Sequence, residues 1–428
     1  MNQFTASLWG DEAWAVTLAI KPIFQIIKIV AKDTSPPLYY LLLHTWMKIF
    51  GASEMAIRSL SFLFFIGTVI TVYFIGKHLW DKKTGITAAL LTFVNPFLFT
   101  YAFEGRMYSL LVLTSTLSIY FFLKKQRLGF ILATVAALYT HHFSLFIVIF
   151  EAIWRFKESW GKPVKQFVKS FLDFFIIGLF YLPWVYPLYY QTSLVGSGFW
   201  LARPTLKVLK ETIDKFLVGS GKELTRRIAY WSIVASLILR KWLEKKEKTV
   251  FLLGWFFTPL LLTFIISQFF QSIFFDRYLL IAIPAVSLLI ASNRRKFSFA
   301  FICITLICLT ILNRDYFFHP IKQPFRELAT FVKSETHNLT LINYNAAAHH
   351  LWESKYYGLQ APIYAPQPLP FYTGTALMEE KDITKDLPDK KEIGVITSAP
   401  IDQVKIPGYY QTKYQQFGEL KFLWMEKD

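Results

Sequence analysis

The chain has 428 residues, 54% of them hydrophobic and 18% aromatic, with a mean hydropathy of +0.37. That is too apolar for an ordinary soluble protein of this length, and the apolar residues come in long blocks, as membrane spans do. The formal net charge of +17 raises the question of nucleic acid, but the lysines and arginines fall in alternate loops, which is what orientation in a membrane requires.

Residues 1–58 read as an external segment with two interfacial helices. One starts after Asp11-Glu12 and mixes Trp14, Val16, Leu18, Ile20 and Phe24 with lysines; the other covers Tyr39–Phe50 and is entered through Pro36-Pro37, which set an extended approach and fix a helix start. About ten apolar spans follow, at 60–79, 85–101, 106–123, 128–140, 142–154, 171–190, 228–243, 249–270, 278–292 and 297–313. The pair 128–140 and 142–154 falls short of the roughly 20 residues a straight crossing needs and reads as a helical hairpin.

Five basic loops lie on one side of these spans: Lys77, Lys82 and Lys83; Lys124, Lys125 and Arg127; Arg155, Lys157, Lys162, Lys165 and Lys169; Arg240, Lys241, Lys245, Lys246 and Lys248; Arg294, Arg295 and Lys296. By the positive-inside rule that side is the cytoplasm. Residues 1–58, the 191–227 loop and everything after about residue 314 then lie outside. The 191–227 loop, with Gly196, Gly198, Gly219 and Gly221, reads as mobile. No apolar span precedes Asp11 to carry the start of the chain across, and Met1–Ser7 is too short and polar to serve, so a truncated start is the expectation.

After about Asn313 the composition turns polar and proline-spotted. Helix-like runs at Phe325–Lys333 and Ala346–Tyr357 alternate with strand-like runs at Leu339–Tyr344, Glu392–Thr397 and Leu420–Met425, which predicts a small extracytoplasmic α/β domain over 314–428. The expected fold is thus an α-helical polytopic membrane protein, divided as 1–58, 59–313 and 314–428. Cys303 and Cys308 share one predicted span and read as core packing. Asn338-Leu339-Thr340 matches a glycosylation acceptor, a triplet that arises often by chance. No glycine-rich phosphate loop is present, so a nucleotide-sugar donor in a Rossmann-type domain is not supported.

Three polar clusters stand at the margins of apolar stretches: Trp9-Gly10-Asp11-Glu12, Asp33-Thr34-Ser35-Pro36-Pro37-Leu38-Tyr39-Tyr40, and Glu104-Gly105-Arg106-Met107-Tyr108. Ionised groups near hydrocarbon cost several kcal/mol unless paired or used, so such clusters read as a reaction centre. The pattern resembles the polyprenyl-phosphate-sugar-dependent glycosyltransferases of the GT-C superfamily, which carry an acidic pair in the first external loop, then a His-Pro-Pro-Leu-Tyr-like and a Glu-x-Arg-x-Tyr-like segment. Ala56-Ile57-Arg58-Ser59-Leu60, Tyr139-Thr140-His141-His142-Phe143 and Asp276-Arg277-Tyr278 are similar to further segments of that family, and the resemblance covers roughly residues 8–300.

The resemblance implies transfer of a hexose or pentose, with inversion, from a polyprenyl-phosphate-linked sugar to a lipid, glycan or protein acceptor at the outer face of the plasma membrane. It names Asp11 and Glu12 as catalytic, and Arg58, Glu104, Arg106, Tyr108, His141, His142, Arg277 and Tyr39 as substrate-binding. The chemistry accounts for these residue types: a carboxylate takes the acceptor hydroxyl's proton, and preorganised cations meet the charge gained by the leaving phosphate. No cofactor is required by this scheme; a divalent metal is compatible with it, and no compact ligand set demands one. Each residue also has a plainer use. Asp11-Glu12 suit a helix N-terminus, Glu104 and Arg106 could pair across a turn, Arg58 and Arg277 could anchor at the interface, His141-His142 could be a polar turn, and Tyr39 could belong to an aromatic belt. Two other functions fit the same polarity, a transporter or flippase of a lipid-linked or anionic substrate and a non-catalytic scaffold for glycan assembly. Charges gathered at one face and the lack of internal repeats weigh against transport.

Overall fold

The computed structural model describes residues 1–239, 246–293, 296–336, 339–344 and 347–428. Arg240, Lys241, Lys245, Arg294, Arg295, Asn338 and Ala346, which figure in the sequence reading, lie outside the described residues. The chain divides into two units: one gathers residues 1–34, 40–57 and 319–428, the other 35–39 and 58–318. The sequence division differs because it treats the external N-terminal segment as separate from the C-terminal domain, whereas its first helix packs within the C-terminal fold.

The first unit opens with α1 (Gly10–Ala19), α2 (Ile23–Val30) and most of α3 (Leu38–Phe50). The single amphipathic helix expected after Asp11-Glu12 is split at Lys21-Pro22, since Pro22 stands at the cap of α2. At the start of α1, a Cβ on Gly10 would lie 2.4 Å from His349 Nδ1 and 2.5 Å from its Cα, so only glycine allows the helix this close.

The helical unit takes in most of α4 (Glu54–Leu79), then α5 (Lys82–Phe93), α6 (Pro96–Ala102), α7 (Tyr108–Lys124), α8 (Arg127–Thr140), α9 (Ser144–Ser159), α10 (Val164–Gly196), α11 (Leu206–Val218), α12 (Leu224–Ile238), α13 (Lys246–Phe269), a 3₁₀ turn at Asp276–Ala282, α14 (Ile283–Ala291) and α15 (Lys296–Phe318). Within the described residues each of the ten predicted spans coincides with one helix or a broken pair; residues 240–243 of the span at 228–243 lie outside them. Among the described residues, four helices (α4, α10, α13 and α15) are long and apolar enough to cross a membrane, or five if α5 and α6 count as one span. That span, predicted as continuous over 85–101, bends by 65°. The bend is local chemistry: the Asn95 side chain accepts from Leu98 N–H at 3.0 Å, capping a new helix with Pro96 in its first turn. The predicted span 278–292 likewise opens as a 3₁₀ turn before α14. The expected loop 191–227 is largely helix, because α10 runs on to Gly196 and α11 begins at Leu206 with Thr205 capping Val208 N–H at 3.3 Å.

The first unit closes with α16 (Phe325–Glu335), β1 (Thr340–Asn343), α17 (Ala347–Tyr356), β2 (Ile363–Tyr364), β3 (Ile383–Thr384), β4 (Glu392–Thr397), β5 (Tyr409–Phe417) and β6 (Leu420–Lys427). The strands form one sheet in the order β3-β2-β1-β4-β6-β5, parallel from β3 to β4 and antiparallel at β6 and β5. One face packs Phe325, Leu328, Val332, Leu341, Ile396 and Phe422; Ile342, Ile393, Val395, Leu423 and Met425 form a second cluster. The strand-like runs at 339–344, 392–397 and 420–425 coincide with β1, β4 and β6, whose residues are buried on both faces of the sheet.

Candidate active site

In the helical unit, Glu104-Gly105-Arg106 fill the break between α6 and α7. Arg106 N–H donates to the Glu104 carbonyl at 2.7 Å, which folds the segment into a tight turn. Glu104 is buried and Arg106 half-buried. Tyr108, the first residue of α7, is fully buried, with its ring edge-on to Tyr101 at 5.1 Å and stacked on Tyr278 at 6.1 Å. Arg277 reaches the same tyrosine: its Nη1 donates to Tyr108 Oη at 3.4 Å, and its guanidinium lies 4.5 Å from the centre of the Phe275 ring. The turn that presents Arg277 is pinned by Asp276, whose carboxylate accepts from Lys215 Nζ at 2.7 Å and from Arg277 N–H at 2.8 Å.

The turn between α8 and α9 adds the two histidines. The His141 ring lies 4.7 Å from Tyr278. Phe143 N–H donates to His141 Nδ1 at 3.2 Å, so the proton of this neutral imidazole sits on Nε2. Burial holds its pKa well below the ordinary value, with His142 and Arg106 adding to the effect. His142 Nε2 donates to Gln191 Oε1 at 2.6 Å, and Tyr181 Oη donates to His142 Nδ1 at 3.4 Å. Gln191 Nε2 in turn donates to the Ser35 carbonyl at 3.5 Å. The Ser35-Pro36-Pro37-Leu38-Tyr39 segment is thereby tied to the histidine turn, and both Tyr39 and Arg58 are fully buried. Tyr108, Arg277, Tyr278 and His141 thus converge from three distant stretches of sequence, with an arginine fork held against aromatic faces, a setting suited to a phosphate.

Asp11 and Glu12 belong to the other unit. They occupy the first turn of α1, where the Glu12 carboxylate reaches back and accepts from Trp9 N–H at 3.4 Å. Glu12 is fully buried and paired with Lys322 Nζ at 2.7 Å, while Asp11 stays partly exposed. Glu353, buried on α17, has its pKa raised well above the ordinary value by desolvation and by the nearby Glu12 charge. Arg326 and Tyr357 meet at Glu54, at 2.6 and 2.9 Å. The two acids therefore differ in surroundings: one is locked in a buried pair, the other is reachable.

Sequence reasoning did not single out Gln191, Tyr181, Tyr101, Lys322 or Glu353. Gln191 and Tyr181 sit within an apolar run where a polar residue at helical spacing was the available signal. Lys322 and Glu353 lie in a stretch of ordinary polar composition, where only the fold brings them to Glu12.

A family model for dolichyl-phosphate-mannose-protein mannosyltransferase matches residues 34–184. No curated protein matches the chain. Among solved structures, the chain is similar to ArnT from Cupriavidus metallidurans in the apo state, at 11% identity and a TM-score of 0.66, covering 98% of this chain and 94% of that one. It is also similar to the same protein bound to undecaprenyl phosphate, with a TM-score of 0.61 and the same identity and coverage. The archaeal oligosaccharyltransferase AglB from Archaeoglobus fulgidus, in complex with an inhibitory peptide and a dolichol-phosphate, aligns at 12% identity and a TM-score of 0.52 over 92% of this chain and 66% of that one. The chain thus shares the fold of ArnT along nearly its whole length, and that of the matching part of AglB.

Proposed function

We propose that the protein is a membrane glycosyltransferase that moves a hexose or pentose from a polyprenyl-phosphate donor to a lipid, glycan or protein acceptor. The observation that carries this reading is the buried cluster of Arg277, Tyr108, Tyr278 and His141 in a chain whose fold matches a protein solved with undecaprenyl phosphate along nearly its whole length. The alternate basic loops support a reaction on the outer face of the plasma membrane.

In this scheme the acceptor hydroxyl attacks the anomeric carbon from the side opposite the phosphate. The bond from that carbon to the phosphate oxygen breaks, and the configuration inverts. Asp11 takes the hydroxyl proton; it is the reachable acid of the pair, while the ion-paired Glu12 orients the first turn of α1 that presents it. Arg277 and Arg106, with Arg58, meet the negative charge on the leaving phosphate, and Tyr108 Oη with the His141 Nε2 proton supplies neutral donors. His142, Gln191 and the Ser35 carbonyl keep the segment ending at Tyr39 in place. Glu104 shapes the turn that carries Arg106. The test is transfer by the purified protein from an undecaprenyl-phosphate sugar to extracted cell-envelope glycolipids, with Arg277→Lys as the variant. Loss of the guanidinium fork should cost about 10²-fold in kcat/KM, the scale of one preorganised donor. Undiminished transfer would remove Arg277 from the phosphate site.

A further inference from the structure

The sheet-bearing unit holds a cleft of about 990 Å³ at the edge where its parallel strands begin, the upper end of the roughly 300–1,000 Å³ typical of ligand pockets. It opens between the last turns of α16 and α17 and the start of β1. Its floor is apolar, made by the buried Val332, Leu341, Leu351, Leu359 and Ala361. Its rim is ionic: Lys333, Lys355 and Lys381 face Glu379 and Asp382. Lys355 pairs with the buried Asp382 at 2.5 Å and Lys381 with Glu379 at 2.8 Å, while Lys21 of the same unit also reaches Glu379 at 3.1 Å. Two ammonium groups on one carboxylate pull the Glu379 pKa down to about 2. Three ammonium groups thus pair with two carboxylates, and among the described residues no carboxylate pairs with Lys333. Its Nζ instead lies over the backbone at Gly358, where an added Cβ would stand 3.0 Å away and φ is +72°. Lysines in a last helical turn complement the helix C-terminus. That role does not require lysines from two helices and from the Glu379–Asp382 turn to converge on one cleft.

We propose that this cleft binds the sugar portion of an anionic acceptor, a saccharide bearing carboxylate or phosphate groups. The inference rests on the glycosyltransferase reading and names the class of acceptor. The apolar floor suits the C–H face of a pyranose ring, the paired carboxylates of Glu379 and Asp382 accept from its hydroxyls, and Lys333 with Lys381 meets its negative charge.

The probe is trigalacturonate, with neutral maltotriose beside it, titrated calorimetrically into the full-length protein in detergent without donor. Trigalacturonate should bind with an affinity that falls as salt rises, and maltotriose should bind far more weakly. Lys333→Glu should weaken trigalacturonate binding about tenfold, since reversing the charge turns attraction into repulsion. Lys390→Glu, outside the cleft, should leave it unchanged. Equal binding of the two sugars, equal effects of the two variants, or no saturable binding at millimolar concentration would overturn the proposal. Because donor is absent, Asp11→Asn should bind trigalacturonate normally, so failure of the transfer reading and failure of the cleft are told apart. In turnover, Lys333→Glu should raise KM for an anionic acceptor and leave kcat unchanged.

Discussion

Replacing Lys322 with methionine isolates the buried pair that underlies the first turn of α1. Glu12 is fully buried and Lys322 nearly so, at 2.7 Å. Removing one partner of such a pair leaves a charge that burial penalises, a cost of about 3–5 kcal/mol. Glu353, itself buried and already sensing the Glu12 charge, adds to that penalty once the ammonium is gone. For a unit of this size each kcal/mol moves the midpoint by about 2–4 °C, so Lys322→Met should melt about 6–20 °C below wild type in detergent. The loss has a pH signature. Without Lys322 the folded pKa of Glu12 rises, the folded state holds a proton that the unfolded state has released, and the deficit shrinks as pH falls toward the ordinary carboxyl value. The double variant Glu12→Gln with Lys322→Met removes both charges and should recover to within about 1 kcal/mol of wild type. Differential scanning fluorimetry between pH 4.5 and 8 reads all three proteins. A single variant that melts with wild type, or a double variant no better than the single, would refute the buried-pair argument.

Burial and the neighbouring His349 lower the His350 pKa to about 4; its folded state therefore binds fewer protons than the unfolded state between about pH 4 and 6.5, so His350→Asn should remove up to about 3 kcal/mol of the stability lost over that window, read as a lower acid-unfolding midpoint. Gly10→Ala should cost about 1–3 kcal/mol, because its Cβ would fall 2.4 Å from His349 Nδ1; a variant that melts with wild type would show that α1 and α17 separate at no cost. Gln191→Leu cuts the link from His142 to the Ser35 carbonyl and should lower transfer about tenfold while detergent stability shifts by about 1 kcal/mol; equal transfer would show that the segment ending at Tyr39 needs no such tie.

Much of the architecture was legible because it rests on patterns the chain cannot hide. Long apolar blocks marked the helices of the membrane unit except α11, which falls in the stretch read as a loop, and short runs of strand-forming residues marked β1, β4 and β6. β5 was invisible, since Tyr409–Phe417 is a mostly exposed edge strand whose polar composition carries no alternation, and its identity comes from pairing with β6. β2 and β3, two residues each, are too short for any period. The join of residues 1–34 to 319–428 was equally hidden, because no local signal tells Gly10 that it will meet His349. At the site, the motif residues Glu104, Arg106, Tyr108, His141, His142 and Arg277 stood out as polar groups at apolar margins. Their partners Gln191 and Tyr181 did not, because each supports a neighbour instead of standing at a span end. Glu12 shows the limit most clearly: the sequence marks an acidic pair, and only the fold shows Glu12 buried against Lys322 and Asp11 partly exposed.

The central claim is that Asp11 is the base that accepts the acceptor hydroxyl's proton, and one pair of measurements on purified protein tests it. Asp11→Asn keeps shape and removes basicity, so transfer from a polyprenyl-phosphate sugar should fall by about 10²–10⁴-fold while donor affinity stays at the wild-type value. Wild-type turnover in Asp11→Asn would contradict the account, and lost donor binding would make Asp11 a binding residue and leave the reaction without its base.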